Sequence, residues 1–216
     1  MREYYIRHIK PLIPKWVFVP YNAYKRKLQV KFRESALAHR YLDGKRGLEI
    51  GGSAHNPFGL NTRNVDYTPD DNQYKKMESV NVGSVLPVDI LASGDAIPVP
   101  DESEDFVISA HVIEHFPDPI KALKEWYRIV KPGGYIFMIV PHKERTFDRD
   151  LSRTTLQEII DRHEGRIQPE PNINDHHSVW ITEDMVELIG YLGWNIIETQ
   201  DIDDKVGNGF TVVMQK

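Results

Sequence analysis

The chain contains no cysteine, which excludes disulfides and every metal site built on thiolates. It has no apolar run long enough to span a bilayer, and no short apolar region ahead of a small-residue cleavage site. Those two absences carry the expectation of cytoplasmic residence without stable membrane insertion. No internal repeat or low-complexity tract interrupts the sequence. Two phosphate-binding signatures are missing as well. There is no Gly-x-Gly-x-x-Gly to seat a pyrophosphate, and Gly44-Lys45-Arg46 lacks both the hydroxyl and the preceding glycine loop of a P-loop.

With 216 residues, the chain is large enough for one well-buried core. Its net charge of -5 hides an uneven distribution. Residues 1–46 hold twelve Lys/Arg and three Asp/Glu, a net of +9, and the remainder carries −14. A basic arm with Tyr4, Tyr5, Trp16, Phe18, Tyr21 and Tyr24 could engage an anionic surface. The reading preferred here is an N-terminal helix pair that covers the sheet or contacts a second copy in a homodimer, because charge runs usually mark solvated faces. The sequence pI of about 6.0 is far from a nucleic-acid footprint.

Gly47-Leu48-Glu49-Ile50-Gly51-Gly52-Ser53 reads as a buried strand running into a glycine turn, and Asn64-Val65-Asp66 as a second strand ending on an acid. Glycine lets backbone approach a ligand with no Cβ in the way. An acid at the end of the next strand can accept hydrogen bonds from both hydroxyls of a ribose. Together they describe a nucleoside-binding edge of an open α/β sheet, beyond the carboxyl ends of its strands. Further strands are expected at Pro87–Ile90, Phe106–Ser109 and Tyr135–Val140, with a closing pair at Asn195–Ile202 and Gly209–Gln215. Leu123 to Val130 reads as an amphipathic helix stopped by Lys131-Pro132-Gly133-Gly134. Thr182 is expected to N-cap another helix ending near Gly193. The N-terminal arm (1–44), with Pro11, Pro14 and Pro20 early, is expected to be helical from Asn22 to Leu42, and 45–216 to form the nucleoside-binding domain.

An acid two residues before the first glycine is the arrangement of S-adenosylmethionine sites. From about Leu42 to the C-terminus the chain resembles the class I S-adenosylmethionine-dependent methyltransferases. The family pattern acid-x-Gly-x-Gly stands here as Glu49-x-Gly51-x-Ser53, with serine in place of the last glycine. The run Asp101 to Phe116 is similar to the family's fourth strand and the turn after it, followed by the helix, the Lys-Pro-Gly-Gly stop and the next strand in family order. The resemblance implies a Rossmann-like, doubly wound, seven-stranded sheet, mostly parallel with a C-terminal antiparallel hairpin and helices on both faces. It implies S-adenosylmethionine held by Glu49, Gly51, Gly52 and Ser53, with Asp66 on the ribose. Asp89 with Ile90 is preferred for the adenine, because strand ends are fixed by the sheet, and Asp95 comes second. Ser109 and His111 should line the sulfur end.

His111-Val112-Ile113-Glu114-His115 also satisfies His-x-x-Glu-His, an inverted zinc-peptidase signature. That chemistry requires a long helix and a distant third ligand. Here the motif follows a strand, and Pro117 and Pro119 interrupt what comes next, so it is read as the turn beside the transfer site.

Methyl transfer to oxygen needs the acceptor aligned and relieved of its proton. Histidine suits the second task. His142, just after the fifth strand, is the first choice for the base, with His111 and the pair His176-His177 as alternatives. Residues 141–181 form an excursion too long for an ordinary connection, with one short helix around Thr154–His163. Its Asp148 or Asp175, with one or two histidines, could chelate magnesium or manganese. Arg149, His176, His177 and Trp180 would suit a carbohydrate, by clamping hydroxyls and stacking on a sugar face. The resemblance extends to methyltransferases of polysaccharide and glycan gene clusters, which implies a small polar acceptor, a sugar or glycan precursor. A quinone, lipid or carboxylate acceptor is the alternative, as is a non-catalytic binding module on the same fold.

Overall fold

The computed structural model describes residues 34–52, 58–68, 75, 86–172 and 175–216. The arm before residue 34, its expected dimer contact and Ser53 lie outside the described residues. The described chain opens with helix α1 (Ala36–Leu42), N-capped by Ser35, whose Oγ accepts the Ala38 N–H at 3.0 Å. Strands β1 (Gly47–Ile50), β2 (Thr62–Asp66), β3 (Ile90–Leu91), β4 (Glu104–Ala110) and β5 (Val130–Pro141) follow in chain order. Helix α2 (Pro119–Ile129) joins β4 to β5. After β5 come α3 (Leu156–His163), α4 (Thr182–Tyr191), β6 (Asn195–Gln200) and β7 (Gly209–Gln215).

These strands form one seven-stranded sheet in the order β3-β2-β1-β4-β5-β7-β6. The first five run parallel, and β7 is antiparallel to both β5 and β6. The carboxyl ends of β1, β2 and β4 therefore come together where the order reverses, the usual crevice of an open α/β sheet. Alternation along the strands splits the core in two. Val107, Ile136, Met138 and Val140 pack under Leu123, Trp126 and Ile129 of α2 and Met185, Leu188 and Ile189 of α4. Phe106, Ile108, Phe137 and Ile139 face the other way, against Leu37, Ala38 and Leu42 of α1 and Phe58. A strand covered on both faces reads as a continuous apolar run, which is why β5 is legible as buried.

Several expected boundaries shift for local reasons. Helix α2 begins four residues before Leu123, because Asp118 Oδ1 accepts the Lys121 N–H at 2.9 Å and Pro119 occupies the first helical position, where its missing donor is harmless. Pro119 starts this helix rather than interrupting one. Thr182 is the first residue of α4 and not its cap: Asp184 Oδ2 accepts the Ile181 N–H at 2.9 Å, while Thr182 Oγ1 donates to Asp201. Strand β3 starts at Ile90, so Asp89 precedes the strand it was expected to end. Among the described residues no helix is long and apolar enough to cross a membrane.

Candidate active site

At the end of β1 the chain turns through Gly51 with φ +64. A Cβ there would stand 2.8 Å from Val112 Cγ2, so the turn has to be glycine to lie against the loop after β4. Gly52 N–H donates to Asn64 Oδ1 at 3.1 Å, tying the turn to β2. Glu49 is 4% exposed, and burial pushes its carboxyl up to about 7, with the Thr62 hydroxyl and the charge of Lys205 working the other way. Lys205, on the loop between β6 and β7, is likewise buried and drawn down to about 8 by the loss of solvent, its ammonium resting on the Phe58 ring. Burial thus favours the neutral form of both groups over their mutual attraction.

Asp66 ends β2 as the sequence predicts. Its Oδ1 accepts the Thr68 N–H and hydroxyl at 2.9 and 2.8 Å, and Oδ2 stands 3.1 Å from Lys75 Nζ, a side chain only 1% exposed. Asp89 is turned to structure: its Oδ2 accepts the Asn64 N–H at 2.7 Å, on the flank of β2. Ile90 lies in β3 beside Val65. Asp95 lies beyond β3, in the turn that Trp126 Nε1 holds through the Gly94 carbonyl at 2.8 Å. Burial opposes ionisation of Asp95, yet hydrogen bonds from Lys121 and Ser93 bring its pKa below the ordinary value. Ser109 is buried in β4, and its Oγ has no hydrogen-bond partner among the described residues.

His111 follows β4 with φ +55, a left-handed backbone that non-glycine residues seldom adopt. Its Nδ1 lies 4.0 Å from Glu114 Oε1. His142, expected to face the crevice as a base, is instead 6% exposed and used by the fold. Its Nδ1 accepts the Glu144 N–H at 3.2 Å, capping the 3-10 turn Lys143–Arg145, and its Nε2 faces Asp201 at 3.8 Å. Burial and then the Arg145 charge lower its pKa. A ring whose lone pair is already taken by a backbone donor is poorly placed to accept a substrate proton.

The excursion after β5 returns to the β4 turn. The N–H groups of His177 and Ser178 donate to Glu114 O at 2.8 and 3.3 Å, and Lys143 N–H donates to Trp180 O at 2.8 Å. Trp180 is 1% exposed and belongs to the main core, so it cannot stack on a sugar as expected. Arg149 is exposed, and its carbonyl accepts a hydrogen bond from Lys143. His177 is half-buried, and burial lowers its pKa. Asp148 is buried with Oδ2 on His176 Nδ1 at 2.7 Å, and the backbone carbonyl of Asp175 contacts His115 Nδ1 at 2.8 Å. The groups that do converge are Glu114, His115 and His176, whose ligand atoms all lie within 4.8 Å of one another. Glu114 is 1% exposed, and burial raises its pKa to about 8, opposed by a hydrogen bond from its own backbone N–H and helped by the Asp148 charge. The His-x-x-Glu-His spacing was the signal for Glu114 and His115. Nothing local marked Lys75 or Lys205.

Residues 51–138 match the family described as a methyltransferase domain. An uncharacterized methyltransferase of Mycobacterium sp. (strain KMS) is 30% identical over 95 residues, 42% of this chain and 36% of that protein. The 2-methyl-6-phytyl-1,4-hydroquinone methyltransferase 1 of Oryza sativa subsp. japonica is 30% identical over 116 residues, 50% of this chain and 35% of that protein. The chain therefore matches only 36% and 35% of the length of these curated relatives. Among solved structures, an S-adenosylmethionine-dependent methyltransferase of Thermotoga maritima shares the fold, with TM-score 0.51 and 21% identity over 100% of both chains. These likenesses support the class I methyltransferase family that the sequence resembles.

Proposed function

We propose that this chain is an S-adenosylmethionine-dependent methyltransferase acting on an oxygen of a small polar acceptor. The observation that carries the reading is the crevice itself: a forced-glycine turn after β1, an acid ending β2, and a polar loop after β4, all at one sheet edge. These residues fit the cofactor. The Gly51-Gly52 backbone would take the amino-acid tail and Asp66 the ribose hydroxyls, sharing its carboxylate with Lys75. Ser109, with a buried hydroxyl lacking a partner among the described residues, would lie toward the sulfur end. When bound, S-adenosylmethionine supplies an electrophilic methyl group, so the protein has to orient the acceptor and take its proton. His111 is the base we favour over His142, because it stands beyond β4 with a partly exposed ring, whereas the His142 ring is committed to the fold.

Two acceptor classes are weighed. Arg149, Asp150 and His176 around the excursion favour a hydroxyl-rich acceptor such as a sugar. The plant relative's hydroquinone substrate and the exposed ring of Phe147 favour an aromatic diol. Calorimetry with S-adenosylhomocysteine tests the cofactor half. The wild type should bind, and Asp66→Asn should bind about tenfold or more weakly, since a hydrogen bond to a charged group contributes about 1.5–3 kcal/mol. No binding by the wild type would sink the methyltransferase reading. Labelled-methyl transfer to monosaccharides on one side and hydroquinones on the other then decides between the acceptors.

A further inference from the structure

We propose that Glu114, His115 and His176 form a site for a divalent transition-metal ion of the zinc–manganese kind, set to hold two adjacent oxygens of the acceptor. Neither carboxylate oxygen of Glu114 accepts a hydrogen bond from any other described residue, although the side chain is 1% exposed. A buried carboxylate left in that condition is expensive unless a cation or donor reaches it. The two imidazoles beside it are already oriented as ligands. His115 Nδ1 is 2.8 Å from the Asp175 carbonyl, which can only accept, so Nδ1 carries the hydrogen and Nε2 presents its lone pair. That Nε2 lies 3.9 Å from Glu114 Oε1. His176 Nδ1 is 2.7 Å from the buried carboxylate of Asp148, which fixes its tautomer the same way and frees Nε2 for a ligand. An imidazole that ligates a metal almost always donates its other N–H to a carbonyl or carboxylate.

The spacing suits an ion. With bonds of about 2.0–2.2 Å, donors around a tetrahedral zinc stand roughly 3.4 Å apart, so the 3.9 Å between Glu114 and His115 closes with a shift of a few tenths, and the trio, all within 4.8 Å, with side-chain rotations of about an ångström. Two nitrogens and one oxygen select zinc, manganese or iron(II) over magnesium, which prefers oxygen. Three protein donors leave positions open, and oxygens bound there would have their hydroxyl acidity raised. His111 Nδ1, 4.0 Å from the same Glu114 oxygen, stands at the edge of the cluster. The motif set aside in the sequence for want of a long helix thus contributes two of the three donors, and the excursion brings the third.

The role toward the acceptor rests on the methyltransferase reading, whereas ion binding does not, and the tests separate them. Chelator-stripped full chain, without cofactor, is titrated with zinc by calorimetry and with manganese by electron paramagnetic resonance. One ion per chain should bind, and magnesium should not displace it. Glu114→Gln, isosteric but unable to become a carboxylate, should weaken binding at least 100-fold. Asp148→Asn should weaken it about 10–100-fold by releasing His176. Circular dichroism verifies that each variant is folded. A wild type that binds neither ion at millimolar concentration, or a Glu114→Gln variant that binds as well as wild type, overturns the site. If S-adenosylhomocysteine still binds in that case, the methyltransferase reading survives the loss. If the ion binds and the homocysteine compound does not, the reverse holds. With the ion in place, transfer to vicinal diols should exceed transfer to isolated alcohols, and equal rates would overturn the acceptor role.

Discussion

Glu49 is a buried carboxylate whose protonated form the fold favours, and this makes stability depend on pH. Its pKa of about 7 lies above the unfolded value of 4.5. The folded state therefore holds the proton more tightly, and the contribution is fully present below pH 4.5 and lost as pH rises through about 7. Relative to Glu49→Gln, the wild type should lose on the order of 2–3 kcal/mol between about pH 5 and pH 8, read by urea melts. Parallel stability curves for the two proteins would show that Glu49 ionises freely. The two histidines after β4 and β5 should also part company. His111→Ala should lower kcat by roughly 10²–10⁴-fold if it takes the acceptor proton. His142→Ala should leave kcat within a few-fold and lower the melting temperature, because its ring caps the Lys143–Arg145 turn and packs edge-on to Phe210. Near-normal turnover in His111→Ala would move the base into the excursion, to His176 or His177.

Helix α2 shows how an element can hold a site it does not touch. Ile120, Leu123, Trp126 and Ile129 bury one stripe against the sheet, and Trp126 alone also reaches the crevice, through its hydrogen bond to Gly94 O. Trp126→Ala should cost about 3–5 kcal/mol as a core truncation. Trp126→Phe keeps most of the packing and should cost about 1–3 kcal/mol, the penalty of leaving a buried carbonyl without its donor. The ranking is checked by chemical denaturation, and a Trp126→Phe variant as stable as the wild type would mean the hydrogen bond contributes nothing. The excursion works by a similar device. Two backbone N–H groups on the Glu114 carbonyl pin His177 and Ser178 to the β4 turn, and this anchoring carries the neighbouring His176 to Glu114.

Across the whole molecule, local pattern was enough for the scaffold. Strand β1 running into Gly51, β2 ending on Asp66, the apolar β5 and the closing β6–β7 pair follow from periodicity, turn residues and β-branched runs, each a property of a few consecutive residues. The same signals placed the crevice at the carboxyl ends of the parallel strands. Helix starts were less legible, since Asp118 and Asp184 cap by side-chain geometry that one-dimensional spacing only partly encodes. The sequence could not decide which polar groups meet. Trp180 and His142 have the composition of a binding site, yet the return of the excursion buries the first and commits the second to a cap. Lys75 reaches Asp66, and Lys205 reaches the Glu49 environment from the loop between β6 and β7. Glu114, His115 and His176 converge because residues far apart in the chain meet, through backbone contacts at Glu114 O and side-chain contacts of the two histidines. Secondary structure is set by neighbours three or four residues apart, whereas a ligand set is fixed by how whole loops dock, and only the tertiary structure carries that information.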